Sequence, residues 1–185
     1  MRPFAEVETE RLILTPLTQE HTQFIFNHFS DPVVCRYLLD EEVYTELEEA
    51  ENFILFNAYH PKKNNNRWAI VKKESATLIG TCGFHQWDRF NNIAEIGYDL
   101  TPSEWGKGFG SEAVTAMIEH GFDQMKLNRI EAYAAKGNTA SMKLLERLGF
   151  KQEGLVRDKH LFQGKYYDHY SYSLLRREWK NGSHM

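Results

Sequence analysis

Residues 93–125 read IAEIGYDLTPSEWGKGFGSEAVTAMIEHGFDQM, and the change of period inside them decides the fold. Over Ile93 to Leu100 a strand is expected, with Ala94, Ile96, Tyr98 and Leu100 on one face and Glu95, Gly97 and Asp99 on the other. From about Ser111 to Met125 the period becomes helical, with Val114, Met117, Ile118, Phe122 and Met125 on one stripe. Between them lies Trp105-Gly106-Lys107-Gly108-Phe109-Gly110-Ser111-Glu112-Ala113. Two readings of this loop are open. Three glycines in five residues allow a tight turn and close approach of a ligand, and a helix N-terminus beside them offers unpaired N–H groups to phosphate oxygens. The other reading is a glycine-rich turn capped by Ser111. The loop is neither a Walker A motif nor the dinucleotide fingerprint.

Working outward, Arg129 to Ala135 reads as a strand, so residues 93–135 predict a right-handed parallel crossover. Upstream, Arg11 to Leu17 reads as a strand, and Gln19 to Phe29 and Thr45 to Tyr59 as helices. After the polar loop Pro61 to Asn66, strands are expected over Arg67 to Val71 and Thr77 to Trp87. Downstream, Asn138 to Leu148 reads as a helix closed by Gly149 at its C′ position. Leu155 to Phe162 and Lys165 to Leu174 then form two strands around a tight Gln163-Gly164 turn. The pattern predicts an α/β class of fold, with a mixed sheet of about seven strands flanked by about four helices, in one domain over residues 1–180. The final Gly182-Ser183-His184-Met185 resembles a cloning remnant and is set aside.

A net charge of −4 and a pI near 6.1 argue against a nucleic-acid partner, which usually needs a basic excess. Two cysteines, Cys35 and Cys82, make no disulfide framework, and the eight histidines lack metal-ligand spacing, so no metal is expected. The N-terminal residues show no apolar leader and no run has the length of a membrane span. A cytoplasmic protein without a membrane partner is the expectation.

The loop resembles the acyl-CoA pyrophosphate loop of GNAT acetyltransferases, Gln/Arg-x-x-Gly-x-Gly/Ala, with Trp105 in the Gln/Arg place and Gly108 and Gly110 matching. Its Trp-Gly-x-Gly-aromatic-small-Ser-Glu-Ala form is similar to the RimJ/RimL-like, ribosomal-protein N-acetyltransferase branch. Thr9 to Leu14, Ser30 to Tyr37, Ala94 to Tyr98, Asn138 to Ser141, Leu148 to Phe150, Glu153-Gly154, and Asp168 with Tyr172 and Ser173 resemble further family segments in the same order. The resemblance implies the GNAT N-acyltransferase fold and acetyl-CoA as acetyl donor. It implies that backbone N–H groups from about Lys107 to Ser111 hold the pyrophosphate, with Trp105, Gly106, Lys107, Gly108, Phe109, Gly110 and Ser111 all counted as cofactor-binding. The strand at Tyr98 to Leu100 would pair with the pantetheine arm and splay from the strand at Arg129, opening a V for the thioester. Asn138 and Ser141 would also touch the cofactor, although Asn138 serves equally as a helix N-cap.

Acetyl transfer needs a base for the amine and a proton for the leaving thiolate. Many GNAT enzymes carry a Tyr acid at the position that is Leu145 here. Ser141, a hydroxyl on the apolar stripe of Leu144, Leu145 and Leu148, is the substitute. A back-bond to the preceding helical turn is its structural alternative. Glu95 is the leading base, against a solvated strand face or an ion pair with arginine. His85, Tyr98 and Asp168 are lesser candidates, Cys82 suits a buried thiol better than an acetyl carrier, and Glu112 suits the helix dipole. The acceptor is expected to be a primary amine: a protein N-terminus as in the ribosomal branch, or a small molecule such as a polyamine or antibiotic. A non-catalytic CoA-binding module is the alternative of another class. A homodimer is consistent with base rates.

Overall fold

The structure, a computed structural model, describes residues 5–38, 42–58 and 63–179. Tyr59, the end of the expected second helix, and the Gly-Ser-His-Met tail lie outside the described residues. The strands are β1 (Val7–Glu8), β2 (Leu12–Pro16), β3 (Asn66–Lys72), β4 (Leu78–Asp88), β5 (Ile93–Leu100), β6 (Arg129–Ala135), β7 (Lys151–Phe162) and β8 (Lys165–Leu175). The helices are α1 (Thr22–Phe29), α2 (Pro32–Cys35), α3 (Leu47–Asn57), α4 (Phe109–Asp123) and α5 (Thr139–Arg147). Among the described residues this is one strand and one helix more than the sequence pattern predicts. The two-residue β1 and the four-residue α2 are too short to carry a period.

All eight strands form one sheet in the order β1-β2-β3-β4-β5-β6-β8-β7. Every neighbour is antiparallel except β5 and β6. That parallel pair is the one joined through α4, as the crossover requires. Alternation along the strands sends side chains to two separate apolar layers. Trp68 and Ile70 of β3 join a core under α4 and α5 with Phe84, Ile96, Met117 and Tyr172. Ala69, between them, joins a second core on the other face with Ile25, Phe29, Phe53 and Ile54 of α1 and α3.

Strand β7 begins at Lys151, four residues before the expected Leu155. Its first residues, Lys-Gln-Glu, lie exposed at the sheet edge, where no apolar alternation is needed. Gly149 (φ +87°) closes α5 as expected, and Phe150 donates its N–H to the Leu145 carbonyl. Among the described residues no helix is long and apolar enough to cross a membrane.

Candidate active site

The parallel pairing of β5 with β6 stops early. Ile93, Ala94 and Glu95 face Arg129, Ile130 and Glu131, and from Ile96 onward β5 has no β6 partner. Strand β6 instead continues along β8 to Ala135. The two strands therefore diverge as a V, as expected, leaving one edge of β5 from Ile96 to Leu100 unpaired by β6.

A cavity of about 210 Å³ lies where the V opens, and its lining includes Glu95, Tyr98, Asn138, Ser141 and His85. Glu95 and Tyr98 lie on opposite faces of β5 and both line it, Glu95 at the last residue paired with β6 and Tyr98 beyond that pairing. The Tyr98 hydroxyl and Ser141 Oγ are 2.8 Å apart. Ser141 thus binds across to β5 rather than only back along its helix. Burial pushes the Tyr98 phenol up to about 12, against the opposing effect of the Ser141 hydrogen bond, so Tyr98 holds its proton at neutral pH. Asn138 caps α5, its side-chain oxygen accepting the Ser141 N–H at 3.1 Å, and also lines the cavity. Leu145 lines the cavity but is fully buried and apolar, and offers no proton donor there.

The glycine loop lies at the other end of the unpaired edge. Gly106 (φ +75°) and Gly108 (φ +85°) take left-handed conformations, and α4 starts at Phe109 immediately after Gly108. Helix formation two residues earlier than expected makes Gly108 the N-cap, so Ser111 lies within the first turn and is not the cap. The first-turn N–H groups have no acceptor within the helix. A Cβ at Gly106 would meet nothing within 4 Å, which leaves the outer side of the loop open. The Trp105 indole N–H binds the Leu100 carbonyl at 2.8 Å, tying the loop to the end of β5. This loop and strand edge fit a long ligand that carries phosphates at one end.

Glu112 has a role beyond the helix dipole. Its carboxylate accepts from the Thr9 hydroxyl at 2.6 Å and from the Arg11 backbone N–H and Nε at 2.8 and 2.6 Å. Burial acts to raise its pKa, but these bonds outweigh it and the net shift is downward. Arg11 also donates to the Lys107 carbonyl at 3.1 Å, so the loop is fastened to the start of β2.

A buried carboxylate and its partners beside the cavity escape a reading of single segments. Asp99, on the Glu95 face of β5, is 2.5 Å from Arg67 Nη2 and 2.7 Å from both His28 Nε2 and Thr81 Oγ1. Burial favours its neutral acid, but Arg67, His28 and Thr81 outweigh that and hold the carboxyl well below the usual range. Arg67 Nη1 lies 3.0 Å from His85 Nε2. The signal available in the sequence was alternation alone, which puts Asp99 on the Glu95 face.

Two lesser candidates lie elsewhere. Asp168 accepts from the Asp158 N–H at 3.1 Å and does not line the cavity. Cys82 is fully buried in the α4-side core, and its thiol is pushed far up by burial, which opposes a thiolate nucleophile. Among the described residues no group of three or more His, Cys, Asp or Glu comes together as a metal site.

Comparison with known proteins agrees with this geometry. The model of the acetyltransferase (GNAT) domain family matches residues 11–151. The chain is 43% identical over 172 residues to the uncharacterized N-acetyltransferase p20 of Bacillus licheniformis, covering 92% of this chain and 96% of that one. It is 26% identical over 175 residues to the spermidine N(1)-acetyltransferase of Vibrio cholerae, covering 94% and 98%. It is 29% identical over 129 residues to the [ribosomal protein uS5]-alanine N-acetyltransferase of Escherichia coli, covering 69% and 66%. With this match, the V between β5 and β6 and the glycine loop at the head of α4, the chain belongs to the GNAT acetyltransferases, the acyltransferases that take their acetyl group from acetyl-CoA.

Proposed function

We propose that the protein transfers the acetyl group of acetyl-CoA to the α-amine of a protein N-terminus, with Glu95 as proton acceptor and the Ser141–Tyr98 pair as proton donor. The observation that carries the reading is the shared cavity, which collects Glu95 from one face of β5 and Tyr98 with Ser141 from the other.

Acetyl-CoA, when bound, supplies the thioester carbonyl. Under this reading the N–H groups from Lys107 to Ser111 hold its pyrophosphate, with Trp105 and the glycines at 106, 108 and 110 shaping the loop. The edge at Tyr98 to Leu100 aligns its pantetheine arm, and Asn138 orients it from the start of α5. Glu95 takes a proton from the incoming ammonium or amine at its carboxylate. Ser141 Oγ, backed by the protonated Tyr98 hydroxyl, gives a proton to the departing sulfur. Tyr98 thus brings a phenol from β5 to the site where Leu145 leaves helix α5 without one.

A protein N-terminus is favoured by size. The cavity of about 210 Å³ falls below the 300–1,000 Å³ usual for sites that enclose whole drug-sized ligands. It suits a chain end with one small residue inserted. The E. coli relative, a [ribosomal protein uS5]-alanine N-acetyltransferase, supports a protein acceptor. A polyamine acceptor is the second reading, supported by the Vibrio cholerae relative, whose match extends over more of the chain.

The test is acetylation with thiol detection and mass spectrometry, comparing peptides that begin with Ala or Ser against the same peptides with blocked N-termini and against spermidine. Turnover of the free-N-terminus peptides at least about tenfold more efficient than spermidine, judged by kcat/KM, is expected. The reverse order would transfer the assignment to the polyamine class. Absence of turnover with every amine, together with tight CoA binding, would favour a CoA-binding module.

A further inference from the structure

We infer that Arg67 is a specificity-determining residue of the acceptor cavity, its guanidinium donating to a neutral carbonyl oxygen beside the carbon that bears the amine. In a protein N-terminus that oxygen is the carbonyl of the first peptide bond. The inference deepens the proposed N-terminal acceptor and rests on it.

The strand register lays the guanidinium across the sheet. Arg67 of β3 stands opposite Gly83 of β4, and Gly83 stands opposite Gly97 of β5. Directly opposed residues of antiparallel strands share a face, so this row crosses three strands with a single side chain in it. Arg67 fills the row from its β3 end. The Thr81–Asp99 pair flanks the row on one side and the His85–Glu95 pair on the other. Accordingly Nε donates to Thr81 Oγ1 at 2.7 Å, Nη2 donates to Asp99 Oδ2 at 2.5 Å, and Nη1 lies 3.0 Å from His85 Nε2. The tip reaches β5, because a Cβ at Gly97 would stand 3.5 Å from Nη1. From α3, the Phe53 ring centre lies 5.5 Å from Cζ. Arg67, Gly97 and Phe53 all line the cavity.

The chemistry of the ligand follows from donors and charge. A guanidinium has five N–H donors and no acceptor. Among the described residues its contacts engage one N–H on each nitrogen, which leaves a second on Nη1 and on Nη2. An acceptor molecule that meets this wall of the cavity must therefore bring an oxygen. The charge of Arg67 is already balanced. Burial pushes the Asp99 carboxyl up, but Arg67, His28 and Thr81 outweigh it and keep the group ionised. A carbonyl dipole suits such a balanced pair better than another carboxylate. A second ammonium, as in a polyamine, carries only donors and finds no partner at Arg67. An N-terminal residue holds its amine and its carbonyl on the same carbon, so one small residue brings both to the cavity.

The test pairs two amines of similar shape, alaninamide and sec-butylamine, in which an ethyl group replaces the carboxamide. The ratio of their kcat/KM values is compared between the parent protein and two variants. Arg67→Lys keeps a cation beside Asp99, and the double variant Arg67→Met with Asp99→Asn leaves no buried unpaired charge. Because the basicity of each amine is the same in every comparison, it cancels. The ratio is expected to fall roughly tenfold or more in the double variant and by less in Arg67→Lys. An unchanged ratio in the double variant overturns the inference. Inhibition of the parent protein needs no variant to fold. N-acetylalaninamide is expected to compete at least about tenfold more tightly than N-sec-butylacetamide, and more tightly than N-acetylalanine. Equal inhibition by the first two overturns the inference, and tightest inhibition by N-acetylalanine overturns the choice of a neutral carbonyl. The two readings fail separately. Good turnover of free-N-terminus peptides with an unchanged ratio removes Arg67 alone. A ratio that depends on Arg67, with alaninamide turned over and peptides refused, keeps Arg67 and removes the protein acceptor. Preference for spermidine over every carbonyl-bearing amine overturns both.

Discussion

The Tyr98 hydroxyl lies 2.8 Å from Ser141 Oγ, joining β5 to α5 at the mouth of the V. If this pair supplies the proton to the leaving sulfur, Tyr98→Phe and Ser141→Ala each lower kcat, by roughly 10²-fold for the residue that donates directly. The double variant falls little further than the worse single variant, because the two hydroxyls act as one unit. The KM for acetyl-CoA stays close to that of the parent protein. Steady-state kinetics on the four proteins checks this, and additive losses would separate the two roles.

Asp99 gives a prediction about stability and pH. Replacing it with Asn leaves Arg67 buried beside a neutral amide, and a loss of about 3 kcal/mol or more is expected at pH 7. The folded carboxyl titrates below the unfolded value of about 3.9. Its contribution is therefore complete above about pH 5 and is lost as the pH falls towards the folded pKa. Urea unfolding should show a large gap between the parent protein and Asp99→Asn at pH 7, narrowing towards pH 3. A gap that widens on acidification would contradict the assignment.

At the donor end, Gly108→Ala forces a Cβ into a left-handed conformation, 3.2 Å from Arg11 Nη2. A cost of about 1–2 kcal/mol follows, with a fall of a few degrees in Tm and a KM for acetyl-CoA raised several-fold. Glu112→Gln weakens the bonds to Thr9 and Arg11 and should raise the same KM without changing the KM of the acceptor. Calorimetric titration with CoA provides a readout independent of turnover.

On the acceptor side, Phe56 is 64% exposed yet lines the cavity rim. Phe56→Ala is expected to leave Tm almost unchanged, since surface changes usually fall within about 0.5 kcal/mol. It should raise the acceptor KM several-fold, with acetyl-CoA kinetics preserved. Equal changes in both KM values would move Phe56 out of the acceptor site.

The legible part of the molecule was the part with a period. The alternation at 93–100 and the helical stripe from Val114 to Met125 gave the crossover, and the glycines between them gave the loop. Ser111 misled because polar residues near a helix start are usual caps, whereas the left-handed Gly108 begins the helix sooner. The entry of β7 was hidden because an exposed edge strand needs no apolar face. Arg67, His28 and Asp99 come from three distant segments, and a charged residue on a strand reads first as solvated. Only the packing shows Arg67 and His28 converging on the buried Asp99. The Tyr98–Ser141 contact, 43 residues apart, was invisible for the same reason. Each residue could be nominated singly, but not as a pair.

The sheet separates two apolar layers, one under α4 and α5 and the other under α1 and α3. The division has a consequence for how such a protein changes over time. Under the proposed acceptor site, substitutions at Phe29, Phe53 and their neighbours, which line the cavity from the α1–α3 side, would reshape its wall while the α4–α5 core behind the glycine loop keeps its side chains. An engineer seeking a new amine specificity would accordingly randomise the α1–α3 layer and leave the α4–α5 layer intact.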